Sequence, residues 1–273
     1  MDPFKFNRTI TITLLLLLPP ALVFAQDPLT GETVGGGIVT YDKFDFFNLS
    51  EFEESSDRGI KDWLAAMPKG RKLNKVLYFN EHYALYTDDP DAENGQMSEE
   101  MQVMLGKLPY MAFPAPKTHK VYIDREKGTM LEQKELMTRL FLVESEIQNY
   151  EWKPGTDQVR ILGYNCMDAT RTVGDKEVKA WFTPAIPISL GPEDHYGLPG
   201  LILAVEVEGK NIFMATSVEM TKPDREIFEK PGNGRKMKQA AFRRLLAEKM
   251  EEYRKNKEME ESNKAKYEKN NKF

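Results

Sequence analysis

Between His119 and Met220 the chain repeats one cadence: an extended apolar–polar run, a turn signal, and another such run. The turn signals are Lys127-Gly128, Pro154-Gly155, Gly174-Asp175 and Glu208-Gly209-Lys210. Around them lie "HKVYIDREKGTMLEQKEL", "MTRLFLVESEI", "QVRILGYNCMDATRTVGDKEVKAWFT" and "LILAVEVEGKNIFMATSVEM". Alternation at period two puts apolar side chains on one face of a strand, and glycine supplies the positive φ that tight hairpins need. Successive runs leave no room for helices between them. That argues against a βαβ fold and predicts a mainly β protein: an antiparallel meander forming a strongly curved sheet or open barrel.

The flanking segments modify this plan without replacing it. "GGGIVTYDKFDFF" (35–47) opens the strand pattern, and "KVLYFNEHYALYTDD" (75–89) offers two short strands. Between them Ile60, Trp63 and Leu64 recur at helical spacing until Pro68 and Gly70, which predicts a short inserted helix at 55–66. Residues 90–118 hold four prolines and two glycines and read as loop, with one helical turn at 98–105. After Arg235, the residues Phe242, Leu245, Leu246, Met250 and Tyr253 share one face of a C-terminal amphipathic helix, and beyond Tyr253 the pattern thins.

The N-terminus sets an expectation of export. Lys5 and Arg8 precede the apolar run "TITITLLLLLPPALVFA", and Val23 and Ala25 are the small residues of a cleavage site. Residues 1–25 read as a signal peptide, 26–34 as a linker, 35–234 as the β-rich domain and 235–273 as a charged helical tail. The mature chain is expected in the periplasm or secreted, not integral to a membrane. Cys166 is the single cysteine, so no intramolecular disulfide forms, and its strand-like setting reads as a buried thiol.

Charge divides the chain. Residues 235–273 carry thirteen Lys and Arg against seven Asp and Glu. With +1 on residues 1–25 and −5 overall, residues 26–234 carry −12. An acidic body argues against nucleic acid as a partner of the main domain.

Between Phe182 and Leu201 the chain packs Pro184, Pro187, Pro192 and Pro199 among Gly191, Gly197 and Gly200. Each proline fixes its own φ and pushes the preceding residue toward extended backbone. Leu198-Pro199-Gly200-Leu201 predicts a type II turn with Gly200 at positive φ, delivering Leu201 and Ile202 into the sheet. No phosphate-binding glycine motif and no G-x-S-x-G elbow is present.

These residues carry a resemblance. "GLPGLIL" (197–203) resembles the naming motif of the GLPGLI family, exported Bacteroidetes-type proteins without an established reaction. Tyr164, Cys166 and Ala169 resemble its Y-x-C-x-x-A segment. Ala180, Trp181, Pro187, Gly191 and Pro192 resemble its A-W-[YF]-T…I-P…G-P segment. The resemblance implies a β-rich exported scaffold, often encoded beside outer-membrane transport and TonB-dependent receptor systems. It carries over no catalytic residue.

Of the histidines His82, His119 and His195, the last sits in "Glu193-Asp194-His195", but no metal-ligand spacing accompanies any of them. No cofactor or metal is expected, and no catalytic residue is assigned. The leading expectation is a cell-envelope binding protein that meets a protein partner through a sheet edge or its tail. The alternative is a periplasmic carrier holding a lipid or other hydrophobic ligand against Phe44, Phe46, Tyr78, Tyr83, Phe141 and Trp181. An uncharacterised hydrolase or metal-binding protein comes third.

Overall fold

The computed structural model describes residues 35–46, 58–66, 69–92 and 116–270. The expected signal peptide and linker (1–34) and most of the proline-rich segment 90–118, with its expected helical turn, lie outside them.

Among the described residues twelve strands form one sheet. In chain order they are β1 (Gly36–Phe46), β2 (Gly70–Asn80), β3 (Tyr83–Asp88), β4 (Lys117–Asp124), β5 (Thr129–Leu136), β6 (Arg139–Glu146), β7 (Lys153–Ile161), β8 (Tyr164–Val173), β9 (Lys176–Thr183), β10 (Leu201–Val207), β11 (Lys210–Glu219) and β12 (Arg235–Lys238). Helix α1 (Arg58–Ala66) interrupts β1 and β2, as its spacing predicts, and α2 (Gln239–Asn270) follows β12. The spatial order is β12-β6-β5-β4-β3-β2-β1-β11-β10-β9-β8-β7. Two meanders, β2–β6 and β7–β11, are thus joined through β1, which pairs β2 on one side and β11 on the other.

Connectivity forces the sheet to curl. β6 and β7 stand ten strand positions apart, which in a flat sheet is about 48 Å. Yet only residues 147–152 join them, a span of at most about 25 Å. Because β7 and β12 do not pair, the curled sheet stays open.

Three turns differ from the sequence reading. Pro154-Gly155 is no turn but the start of β7, where the register shifts between Pro154 and Gln158. Proline is tolerated there because β7 is an edge strand, and Gly155 is required because a Cβ would lie 2.1 Å from both Asp168 carboxylate oxygens. The β7–β8 turn falls instead at Leu162-Gly163, both at positive φ. Met137-Thr138, read as strand, is the β5–β6 turn, and both residues sit at positive φ without a glycine.

The C-terminal segment also begins differently. Arg235–Lys238 is not helical but pairs in parallel with Phe141–Glu144 of β6, the one parallel contact among the described residues. The helix starts at Gln239 and docks through Phe242, whose ring meets Phe141 at 5.6 Å beside Leu245 and Leu246. Farther along, Met250 and Met259 are exposed, so most of α2 has no apolar footing.

Candidate functional site

Register places one row of side chains on the inner face. Tyr41 pairs with Lys75 and Ala215; Tyr86 pairs with Leu77 and Val121; Val121 pairs with Glu132. Cross-strand partners share a face. The row has an apolar end, built from Val39, Phe79, Ile123, Met130 and Leu203, and a polar end with buried Lys75, Tyr86 and Glu132. The loop between β9 and β10 closes over the polar end, bringing Glu193, Asp194 and His195.

The centre of this layer is Arg171 on β8, which is 5% exposed. Its guanidinium carbon lies 3.9 Å from the Tyr150 ring centroid and 4.9 Å from that of Trp152, both on the 147–152 connection. Its Nη2 donates to His195 Nδ1 at 3.1 Å and to the Asp194 carbonyl at 3.4 Å. Arginine has no acceptor, so His195 Nδ1 must accept, and the imidazole is the neutral Nε2–H tautomer. Burial holds the His195 pKa below its ordinary value, with the Arg171 charge adding to that and the Asp194 carboxylate opposing it. Arg171 Nε and Nη1 find no hydrogen-bond partner among the described residues.

The neighbours complete a charge network. Lys43 pairs with Glu193 at 2.5 Å and Lys134 with Glu132 at 2.7 Å. Burial pushes the Glu132 carboxyl up, Lys134 pulls it back, and the Asp194 and Glu193 carboxylates push it further. His195 also stacks edge-on against Phe213, 5.6 Å between centroids. Next to it, the Tyr196 carbonyl accepts from Trp152 Nε1 at 2.9 Å, and the Tyr196 hydroxyl accepts from the Gln148 N–H at 2.9 Å.

The glycine–proline motif therefore builds a wall of this layer. The expected type II turn is not what forms: Gly200 is not among the positive-φ glycines, whereas Gly197 is, at 97°. The Gly200 N–H bonds the Leu198 carbonyl at 2.8 Å, a three-residue turn centred on Pro199, whose ring already sets the required φ. Gly200 is needed for close approach, because a Cβ would stand 2.2 Å from the Thr183 carbonyl oxygen. Gly191 is similar, with a Cβ 2.5 Å from the His195 carbonyl oxygen. Leu201 and Ile202 are fully buried and bond the corner through the Ile186 and Leu190 carbonyls at 3.0 and 2.9 Å. Leu198 and Pro192 are buried, while Pro187 and Pro199 face solvent.

The remaining motif residues lie on β8, the strand that carries Arg171, and on its neighbour β9. Ala169 pairs with Ala180, both buried, and the small pair keeps β8 and β9 smooth beneath the loop. Tyr164 starts β8 and is half-buried. Trp181 is also half-buried, beside Lys179 Nζ at 4.6 Å. Cys166 is buried, its Sγ directed at the Tyr164 carbonyl at 3.6 Å, and burial pushes its thiol up to about 11. A thiol held protonated at neutral pH is a poor nucleophile.

The three histidines each take a separate partner: His82 meets Glu126, His119 meets Glu135 and His195 meets Arg171. Among the described residues no group of three His, Cys, Asp or Glu has the arrangement of a metal site. The six aromatics read as a ligand lining are scattered as well. Tyr78 and Tyr83 join a cluster with Leu85, Tyr122 and Phe228, Phe141 meets Phe242, and Phe44 and Phe46 are exposed. Arg171, Tyr150 and Trp152 escaped the sequence reading. The signal that was available is an arginine on the apolar side of a strand that also carries Ala169.

A family model described as a protein of unknown function (Porph_ging), a Bacteroidetes-type domain, matches residues 168–204. That segment runs from Asp168 through the loop over Arg171 to Ala204. No curated protein matches the chain. Two solved structures are similar, "Structure of PNGF-II in P21 space group" and "Structure of PNGF-II in C2 space group". The first is 16% identical with a TM-score of 0.48, covering 78% of this chain and 33% of the other. The second is 16% identical with a TM-score of 0.47, covering 77% and 32%. The chain thus spans about a third of the length of those it matches.

Proposed function

We propose that this protein is a non-catalytic binding module of the cell envelope, and that it meets a partner protein by adding an extended segment of that partner to the β7 edge. The observation that supports the reading is β7 itself. Its residues from Lys153 to Arg160 are all exposed, and its outer edge pairs with no strand among the described residues. Val159, Leu162 and Met167 lie exposed beside that edge. Edge strands are usually blunted, because their free N–H and C=O groups recruit other strands. Here the proline and the register shift occupy only the Pro154–Gln158 half. Residues Gln158–Ile161 run in regular register and remain open to strand addition. The motif strand supports this edge from behind, since Cys166 of β8, directly opposite Val159, is buried. The partner class suggested by the sequence resemblance is an outer-membrane transport protein.

The test is a photo-crosslinking side chain introduced at Val159 in the native cell, with Glu81 in the β2–β3 turn as the control position. One envelope protein captured from Val159 and absent from Glu81 is the expected result. Equal capture from both positions, or none from Val159, overturns the reading.

A further inference from the structure

We infer that the corner where the β5–β6 turn meets the start of α2 is a docking surface for an anionic phospholipid bilayer. This goes beyond the β7 reading and uses a different face.

Charge provides the first observation. Residues 235–250 carry six Lys and Arg and one acid, Glu248, in a chain whose net charge is −5. Farther along α2, Lys249 pairs with Glu252, Arg254 with Glu251 and Glu258, and Lys255 with Glu251. Arg139, Arg235, Arg243 and Arg244 are exposed and have no ion pair among the described residues. These four arginines belong to three adjoining segments, the start of β6, β12 and the start of α2.

Geometry brings them together. Arg139 and Arg235 line one shallow groove of about 400 Å³, together with Leu140, Phe141, Asn233 and Gly234. Arg243 and Arg244 follow Phe242, which packs on Phe141, so they lie within a helical turn of the groove wall. The first turn of α2 holds no acid that would neutralise them.

An apolar side chain selects the bilayer among anionic partners. Met137 is 52% exposed at the tip of the turn that carries Arg139. Cations beside a projecting apolar group match the boundary between headgroups and acyl chains. The acidic body, at −12 over residues 26–234, is repelled by the same surface, so the molecule approaches with this corner foremost. Each cation near such a surface is worth about fivefold in binding, which makes the contact reversible and sensitive to salt.

The experiment is flotation of the purified mature chain with vesicles of phosphatidylcholine alone and of phosphatidylcholine mixed with phosphatidylglycerol. Binding to the mixed vesicles only, reversed by salt, is expected. Arg139→Gln with Arg235→Gln should weaken it more than tenfold, and Arg243→Gln with Arg244→Gln should do so independently. All four side chains are exposed, so melting curves matching the parent's verify folding. Equal binding to neutral vesicles, no binding, or retention in both double variants overturns the proposal. So does displacement by inorganic phosphate at matched ionic strength, which would mark the groove as a site for free phosphate. The readout is lipid alone, so it fails or succeeds independently of capture at Val159.

Discussion

Arg171 and His195 are joined by one hydrogen bond, Nη2 to Nδ1 at 3.1 Å, which forms only while the imidazole is neutral. Protonating His195 removes the acceptor and sets two cations against each other inside the sheet. Around them stand Asp194 and Glu193 from the same loop, Lys43 from β1, and Glu132 with Lys134 from β5. Folding depresses the His195 pKa, so below about 6.5 the unfolded chain takes up a proton that the native chain refuses. Stability is therefore lost as pH falls from 6.5 toward the depressed native value. His195→Gln keeps an acceptor and should flatten that acid slope. Glu132 acts with the opposite sign: its raised pKa costs stability as pH rises above 4.5, and Glu132→Gln should remove that loss. Denaturant midpoints measured across this range check both, and parallel curves for parent and variants would contradict them.

Two glycines separate steric need from backbone need. At Gly200 an added Cβ strikes the Thr183 carbonyl at 2.2 Å, and neither backbone is free to move. Gly200→Ala is expected to cost about 3 kcal/mol. At Gly174 a Cβ meets nothing within 4 Å, but φ is 66°. Gly174→Ala should cost only about 1 kcal/mol, the penalty of a left-handed alanine. Thermal or denaturant unfolding decides, and equal costs would show that the corner yields.

Cys166 is buried, with its thiol pushed up to about 11. An aromatic disulfide reagent should leave the native chain unmodified at neutral pH and titrate one thiol on unfolding. Rapid native labelling would show that β7 opens far more readily than its pairing implies.

α2 should divide at Leu246. Phe242→Ala empties the contact with Phe141 and is expected to cost about 3 kcal/mol. Truncation after Arg254 removes the surface ion pairs of Glu258 and Lys255, and should change stability by less than about 0.5 kcal/mol. Unfolding midpoints of the two variants give the comparison.

Much of the architecture was readable because period-two alternation and Gly-containing turns leave direct marks. Lys127-Gly128, Gly174-Asp175 and Glu208-Gly209 turn where the sequence says, each glycine at positive φ. Met137-Thr138 was hidden, since a turn whose left-handed residues are Met and Thr carries no glycine signal. Pro154-Gly155 misled for the converse reason. An edge strand tolerates proline, and its glycine answers to Asp168, which is distant in the sequence by more than a turn. β12 was unreadable because a four-residue parallel strand takes its identity from β6 rather than from its own pattern. The motif residues were legible as a rigid corner. What the corner encloses was not, because Arg171, Tyr150 and Trp152 meet only when the 147–152 connection crosses the open mouth of the sheet.

The joining of the two meanders through β1 has a temporal side. Lys43 pairs with Phe213 and Tyr41 with Ala215, so the earliest strand finds its second neighbour only when almost the last has been made. The Tyr41 hydroxyl reaches the Ile202 carbonyl at 2.7 Å across 161 residues of chain. Contacts of that separation form late and slowly. A chain emerging from its N-terminus can build β2 through β6 as local hairpins, yet it cannot close its core. It stays pliable until β11 arrives, and commits to its final shape in one concluding step.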